Sequence, residues 1–325
     1  MDLLVIDTLD ADVLEWLSAR HELRHAPELA HDPREFRRSL ETVRATIVPA
    51  SVTFDAETLD FAPRLCAIGR ISAGSENISL TACERRGIEV VRSLTAGARA
   101  EAEFMVAAML SLLRRVAVRG PGGALAGREL GGATLGLVGM PPSARTLVHL
   151  LSGFETRIIG YDPTLHASDA SWELWQVEPV GLRELVERAD ILCVQLDYFT
   201  RYRGLLGSRF LPFCKRDQVI VSTAHSGLFD EAALARVLRS GRIAAAWLDS
   251  VEPGVLDRGR PLHGIETLQV TPRVASTTLQ SRQRSAWAVV RRIDELLGGE
   301  PATDPAFSST VPGVLADLAD ESSSR

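Results

Sequence analysis

Short apolar, β-branched runs alternate with amphipathic stretches along most of the chain. A first series includes residues 3–6, 45–48 and 88–91, and a second series extends from Thr134–Val138 to Leu268–Val270. Continuous apolar runs are typical of parallel strands that are buried on both faces, and amphipathic helices are needed to cover those faces. The alternation therefore predicts an α/β fold with two doubly wound, Rossmann-like parallel sheets.

The length of 325 residues is enough for roughly two domains of about 150 residues each. A net charge of −6, with 46% apolar and 24% charged residues, is that of an ordinary globular surface and argues against a nucleic-acid partner.

The longest apolar run, residues 104–113, is too short to cross a bilayer, and the start, MDLLVIDTLD, lacks the basic region of a signal peptide. We therefore expect a cytoplasmic protein that does not bind membranes. The cysteines form no CxxC pair and predict neither a disulfide framework nor a metal site: Cys66, Cys83, Cys193 and Cys214.

Two long helices are predicted on either side of the second series of strands. Residues 100–119 predict an unusually apolar helix, which we interpret either as core or as a subunit interface. The glycine-rich residues 120–132 predict a loop. Residues 282–297 predict a helix that ends at Gly298 and Gly299.

The segment ATLGLVGMPPSARTLVHLLSGFETRIIGYDP has the order strand, turn, helix, strand and acid that is typical of a dinucleotide-binding βαβ unit. In its turn, Gly139 takes the place of the first glycine of GxGxxG, while Pro141 and Ala144 replace the second and third. Pro141 and Pro142 also remove two backbone N–H groups that could bind phosphate, each worth about 1.5–3 kcal/mol. The turn therefore predicts weakened binding of a dinucleotide, or its loss.

Three other residues of this segment are candidate cofactor ligands. Ser143 can cap the helix and offer its hydroxyl, and Arg145 can meet a phosphate from the first helical turn. Alternatively, Pro142 simply starts the helix and Arg145 is solvated. Asp162 follows the second strand, where a carboxylate accepts ribose hydroxyls and repels a 2′-phosphate, which favours NAD over NADP. Alternatively, Asp162 is only the aspartate of a turn.

Together with these segments, the order of other segments along the chain resembles the D-isomer-specific 2-hydroxyacid dehydrogenases, over nearly the whole chain up to about residue 300. RISAGSENISLTACERRGIEVV resembles the family's substrate loop, RAEAEFMVAAMLSLLRR its interdomain and dimer helix, and ADILCVQL a cofactor-domain strand. STAHSGLFDEAALARVLRSGRIAAAWLDSVEP and LQVTPRVAST resemble the segments that hold the catalytic residues. The resemblance implies two domains with a cleft between them: residues 1–98 with 283–325 bind the substrate, and residues 99–282 bind NAD. It also implies a homodimer through the helix at 100–119.

The resemblance also locates the active-site positions, three of which depart from the family. The family's arginine position is His225, its glutamate position is Gly254 and its histidine position is Arg273. Asp249 matches the aspartate beside the nicotinamide. The substrate loop keeps small residues, which we expect to contact a small, anionic substrate: Ser72, Ala73 and Gly74.

Three functions remain open at this stage. In the first, His225 and Arg273 have exchanged places, so that His225 handles the proton, Arg273 binds the substrate carboxylate, and Glu252 or Asp249 orients the imidazole. This protein would be an NAD(H)-dependent oxidoreductase of a 2-oxo or 2-hydroxy acid. In the second, the same residues support a cofactor-independent elimination, hydration or isomerisation. In the third, the protein is inactive and binds a ligand or a protein partner. The aromatic residues of the stretch QLDYFTRYRG either form a binding wall or anchor the loop.

Overall fold

The structure is a computed structural model that describes residues 1–71, 77–93, 95–116, 118–119, 123 and 125–298. The chain forms two compact units. The first contains Met1–Ala96 and the chain from Leu279 onward, and the second contains Gly97–Thr278. Within the described residues, no helix is both long enough and apolar enough to span a membrane.

The first unit is built on a five-stranded parallel sheet. Its elements in chain order are β1 (Leu3–Val5), α1 (Ala11–Ser18), β2 (Leu23–His25), α2 (Pro33–Ser39), β3 (Ala45–Ile47), α3 (Ala56–Asp60), β4 (Ala67–Arg70), α4 (Leu80–Arg85), β5 (Glu89–Arg92) and α10 (Leu279–Leu297). The strand order is β2-β1-β3-β4-β5. One face packs against α1 and α10 through Val13, Val289 and Ile293, and the other packs against α2 to α4.

The second unit is built on a seven-stranded parallel sheet of order β10-β9-β8-β11-β12-β13-β14. Its elements are α5 (Ala98–Arg115), β6 (Val118–Arg119), β7 (Leu125–Ala126), β8 (Thr134–Val138), α6 (Pro142–Leu150), β9 (Arg157–Tyr161), α7 (Ser171–Leu174), β10 (Glu178–Pro179), α8 (Leu182–Arg188), β11 (Ile191–Val194), β12 (Gln218–His225), α9 (Glu231–Arg239), β13 (Ile243–Ser250) and β14 (Leu268–Val270). The predicted α/β fold with two parallel sheets is confirmed.

The region between α5 and β8 differs from the prediction. The helix predicted over 100–119 ends at Arg115, because Val116 has the extended dihedrals φ −92° and ψ 92°. The chain then forms a short antiparallel pair of β6, which lies in the stretch predicted as helix, and β7, which lies in the stretch predicted as loop. The buried face of α5, which includes Met105, Met109 and Leu112, packs into the core of the second unit. The dimer contact through this helix stays a prediction.

Candidate functional site

The carboxyl edge of the second sheet collects most of the predicted site residues. Strands β8 and β11 are neighbours in the sheet, although β9 follows β8 in the chain and lies on the opposite side of it. Such a reversal of strand order leaves a crevice at the carboxyl ends of the strands, where α/β proteins bind ligands. Gly139 follows β8, Gln195 follows β11, and His225 ends β12 at this edge.

Gly139 is a glycine because the neighbouring strand leaves no room for a side chain. Its φ is +91°, and a Cβ atom there would lie 2.4 Å from the Cα atom and 2.6 Å from the backbone nitrogen of Leu196. The close neighbour is backbone and cannot rotate away. The fold itself therefore requires this glycine, whether or not a ligand binds.

The first two N–H groups of the turn form hydrogen bonds within the protein and are not available to a ligand. Gly139 donates to the carbonyl of Tyr161 at 2.8 Å, and Met140 donates to the carboxylate of Asp162 at 2.9 Å. The two prolines that follow have no N–H. In the part of the chain that the structure describes, no group accepts the N–H of Ser143, which is the next residue. The turn thus offers a phosphate the N–H and the hydroxyl of Ser143.

Asp162 holds the turn and the next loop together. Besides Met140, its carboxylate accepts the backbone N–H of Thr164 at 2.8 Å and the hydroxyl of Thr164 at 2.6 Å. Three of about four acceptor positions of the carboxylate are therefore taken. Its predicted contact with a ribose stays a prediction, with room for about one hydroxyl.

Arg145 lies on the exposed side of α6. Its guanidinium carbon is 5.1 Å from the centre of the Trp175 ring, at a distance suited to a cation–π contact. This contact holds the side chain on the indole, and the role of Arg145 toward phosphate stays a prediction.

His225 is held in one tautomer by the chain that follows it. Its Nδ1 accepts the backbone N–H of Gly227 at 3.0 Å. Because Nδ1 accepts this hydrogen bond, the neutral ring carries its proton on Nε2. The ring also stacks on Tyr198, with 4.5 Å between centroids and 25° between planes. The imidazole is therefore fixed in orientation as a hydrogen-bond donor through Nε2.

The carboxylates expected to orient His225 have other partners. Glu252 lies 3.7 Å from a guanidinium nitrogen of Arg203, which also donates to the hydroxyl of Tyr198 at 3.4 Å. Among the described residues, neither Glu252 nor Asp249 is hydrogen bonded to His225. The orienting group is the backbone of Gly227, a role that the sequence does not reveal.

Asp249 fixes the segment that carries Arg273. The Asp249 carboxylate is 3% exposed and accepts the hydroxyl of Thr271 at 2.6 Å and the N–H groups of Val274 and Ala275 at 3.0 and 2.9 Å. Arg273 has a φ of +55°, and its N–H donates to the carbonyl of Asp249. Asp249 thus holds the backbone on both sides of an exposed arginine. Its role beside the nicotinamide stays a prediction.

The aromatic residues of the loop after β11 differ in how far they are buried. Tyr198 and Tyr202 pack against the core of the second unit, whereas Phe199 is 44% exposed. Burial raises the pKa of the neighbouring Tyr161, with smaller contributions from Tyr202 and Asp162. The tyrosines therefore anchor the loop.

The predicted substrate residues lie outside the described residues: Ser72, Ala73 and Gly74.

A polar network at the same edge escaped the sequence prediction. Gln195 is 4% exposed and donates to the hydroxyl oxygen of Ser143 at 2.9 Å and to the carboxylate of Glu101 at 3.1 Å. Thr223 donates to the same oxygen of Glu101. The one signal in the sequence is a glutamine at the end of a continuously apolar strand.

Residues 106–275 match the family model described as D-isomer specific 2-hydroxyacid dehydrogenase, NAD binding domain. This segment covers the sheet of the second unit and the edge described above. It is therefore an NAD-binding domain, and the cofactor predicted from the sequence is confirmed.

Curated relatives extend the similarity beyond this domain. The chain is 31% identical over 305 residues to the (S)-sulfolactate dehydrogenase of Chromohalobacter salexigens, which covers 91% of this chain and 98% of that protein. It is 28% identical to the hydroxypyruvate reductase of Thermotoga maritima, over 90% and 97% of the two chains. The D-3-phosphoglycerate dehydrogenase of Mycobacterium leprae is 30% identical over 80% of this chain, which spans 50% of that relative.

Solved structures share the architecture. The TT0316 protein from Thermus thermophilus superposes with a TM-score of 0.74 and 28% identity, over 93% of this chain and 98% of that one. D-lactate dehydrogenase from Escherichia coli, at 21% identity, has a TM-score of 0.70 over 92% and 98% of the chains, a likeness of fold alone. The model match and the full-length relatives together show that this chain belongs to the D-isomer-specific 2-hydroxyacid dehydrogenase family.

Proposed function

We propose that the protein is an NAD(H)-dependent oxidoreductase that interconverts a small, anionic 2-oxo acid and its 2-hydroxy acid. The NAD-binding domain and the relatives named for sulfolactate and hydroxypyruvate support this proposal. The cofactor, when bound, supplies the hydride for C2 of the 2-oxo acid. The residues of the second unit fit such a cofactor through Ser143 and Asp162, with fewer backbone donors than an intact GxGxxG turn offers.

The observation that carries the proposal is the hydrogen bond from Gly227 to Nδ1 of His225. A histidine that shuttles protons has to bind a proton on its second nitrogen, and here that nitrogen faces a backbone N–H. His225 is therefore suited to donate from Nε2 to a substrate oxygen and to stabilise negative charge that develops there. The oxygen at C2 then takes its proton from solvent. In this role His225 keeps its own proton, unlike the proton donor or acceptor that we expect from the sequence.

Arg273 completes the proposal as the group that binds the substrate carboxylate. A guanidinium offers a planar fork of donors that matches a carboxylate. Asp249 accepts hydrogen bonds from Thr271 and Val274 on either side of Arg273, which follows β14, whereas His225 ends β12. The two donors are thus carried at the carboxyl ends of the two strands that flank β13 in one sheet.

The test measures NADH oxidation with a panel of 2-oxo acids that includes glyoxylate and hydroxypyruvate. His225→Phe keeps a ring that can stack on Tyr198 but removes the donor, so we expect kcat to fall about 10²–10³-fold. His225→Gln keeps an N–H donor and should retain more activity. His263→Phe serves as the matched control, since His263 is exposed and, among the described residues, its ring bonds only to the carbonyl of Leu256.

Each alternative function gives a different result in this experiment. Equal activity of His225→Phe and wild type would contradict the role of Nε2. NADH binding with no turnover of any acid would support an inactive, ligand-binding protein. Conversion of an acid without NADH would support a lyase or isomerase.

A further inference from the structure

A buried network in the second unit determines how Ser143 is presented. The side-chain nitrogen of Gln195 contacts Ser143 Oγ at 2.9 Å and Glu101 Oε1 at 3.1 Å. Thr223 donates its hydroxyl to the same glutamate oxygen. Glu101 therefore fixes the amide of Gln195, and the amide fixes the hydroxyl of Ser143.

The network leaves both donors of Ser143 available for a ligand. Since Ser143 Oγ accepts from Gln195, its hydrogen has to point away from the amide. Its N–H has no acceptor among the described residues, and it stands in the first turn of the nine-residue helix α6. Ser143 therefore supplies the two donors that follow the prolines of the turn.

An independent observation points to a ligand at this place. The amide oxygen of Gln195 is buried and has no hydrogen-bond partner within the part of the chain that is described. The geometry of an amide puts this oxygen about 2.2 Å from the nitrogen, and so within about 5 Å of Ser143 Oγ. A buried acceptor that lacks a donor is unfavourable unless a ligand or an ordered water supplies one. Two donors and one acceptor so close together suit a sugar phosphate.

We propose that Ser143 binds a phosphate of NAD(H) through its hydroxyl and N–H. In this arrangement Gln195 orients Ser143 through Nε2 and accepts a ribose hydroxyl at Oε1. Glu101 and Thr223 act only through Gln195 and are positioning residues. The proposal rests on the NAD(H) binding of the proposed function, and it explains how a turn with two prolines still holds a dinucleotide.

The test is a fluorescence titration of the full chain with NADH. We expect Ser143→Ala and Gln195→Met each to raise the Kd about tenfold to a hundredfold. Because Gln195 acts in part through Ser143, the double variant should lose less than the product of the two single losses. Thermal unfolding of each variant without NADH is measured in parallel.

Gln218→Met is the matched control. Gln218 is also buried and its Oε1 also lacks a described partner, but its nitrogen donates to the carbonyls of Val186 and Ala189 at the amino end of β12. This variant should be destabilised and still bind NADH like the wild type.

Three results would overturn the proposal: wild-type Kd in both single variants, losses that multiply fully in the double variant, or an equal loss in Gln218→Met. No binding of NADH by the wild-type protein up to millimolar concentration would instead refute the proposed function.

Discussion

Replacing Gly139 by alanine tests whether the fold alone requires this glycine. The variant has two costs. A residue with a side chain at a φ of +91° is strained by about 1–2 kcal/mol. The new Cβ would also lie 2.4 Å from the Cα of Leu196, and overpacking of this kind costs about 1–3 kcal/mol more. We therefore expect the free energy of unfolding to fall by about 2–5 kcal/mol.

Gly132→Ala separates these two costs. Gly132 has a φ of +75°, but no heavy atom lies within 4 Å of the position of its Cβ. This variant should lose only the strain of about 1–2 kcal/mol. Urea unfolding followed by tryptophan fluorescence measures both variants, since Trp172 and Trp247 report on the second unit. Equal losses in the two variants would refute the argument from the close approach of Leu196.

Three further predictions concern buried polar groups and thiols. Asp294→Ala leaves His21, its buried partner at 2.6 Å, without an acceptor, so we expect a loss of about 3 kcal/mol in urea unfolding; a loss below about 1 kcal/mol would contradict this. Asp249→Ala removes the acceptor of the backbone N–H groups of Val274 and Ala275. These N–H groups should exchange with deuterium at least about tenfold faster, and unchanged exchange would contradict the role of Asp249 in holding this segment. Burial raises the pKa of Cys193, so iodoacetamide at mild alkaline pH should label Cys66 first in the folded protein, and early labelling of Cys193 would contradict its burial.

Much of the fold could be predicted because apolar periodicity is a local property of the chain. The strands Thr134–Val138, Arg157–Tyr161 and Leu268–Val270 lie where their apolar runs predict them. The end of α5 could not be predicted, because the apolar pattern continues while Val116 already turns into the hairpin. Pairing of β6 with β7, and not propensity, determines this boundary.

The candidate site was less predictable because its contacts join distant parts of the chain. The family resemblance identifies His225 as a site position, but the proton on Nε2 follows from the hydrogen bond that the N–H of Gly227 donates to Nδ1. The hydrogen bonds that Thr271 and Ala275 donate to the carboxylate of Asp249 also join separate segments, and the sequence does not predict them. Gln195 and Glu101 are 94 residues apart in the chain, and the packing of α5 beside β12, the neighbour of β11, brings them together.

The transfer of deuterium from NADH to a 2-oxo acid tests the proposed reaction most directly. The wild-type protein is incubated with NADH that carries deuterium at both hydrogen positions of C4 of the nicotinamide, and the product is analysed by NMR and mass spectrometry. The proposed reaction predicts one deuterium at C2 of a single enantiomer of the 2-hydroxy acid. A product with only hydrogen at C2, or a product that also forms without NADH, would contradict hydride transfer by this protein.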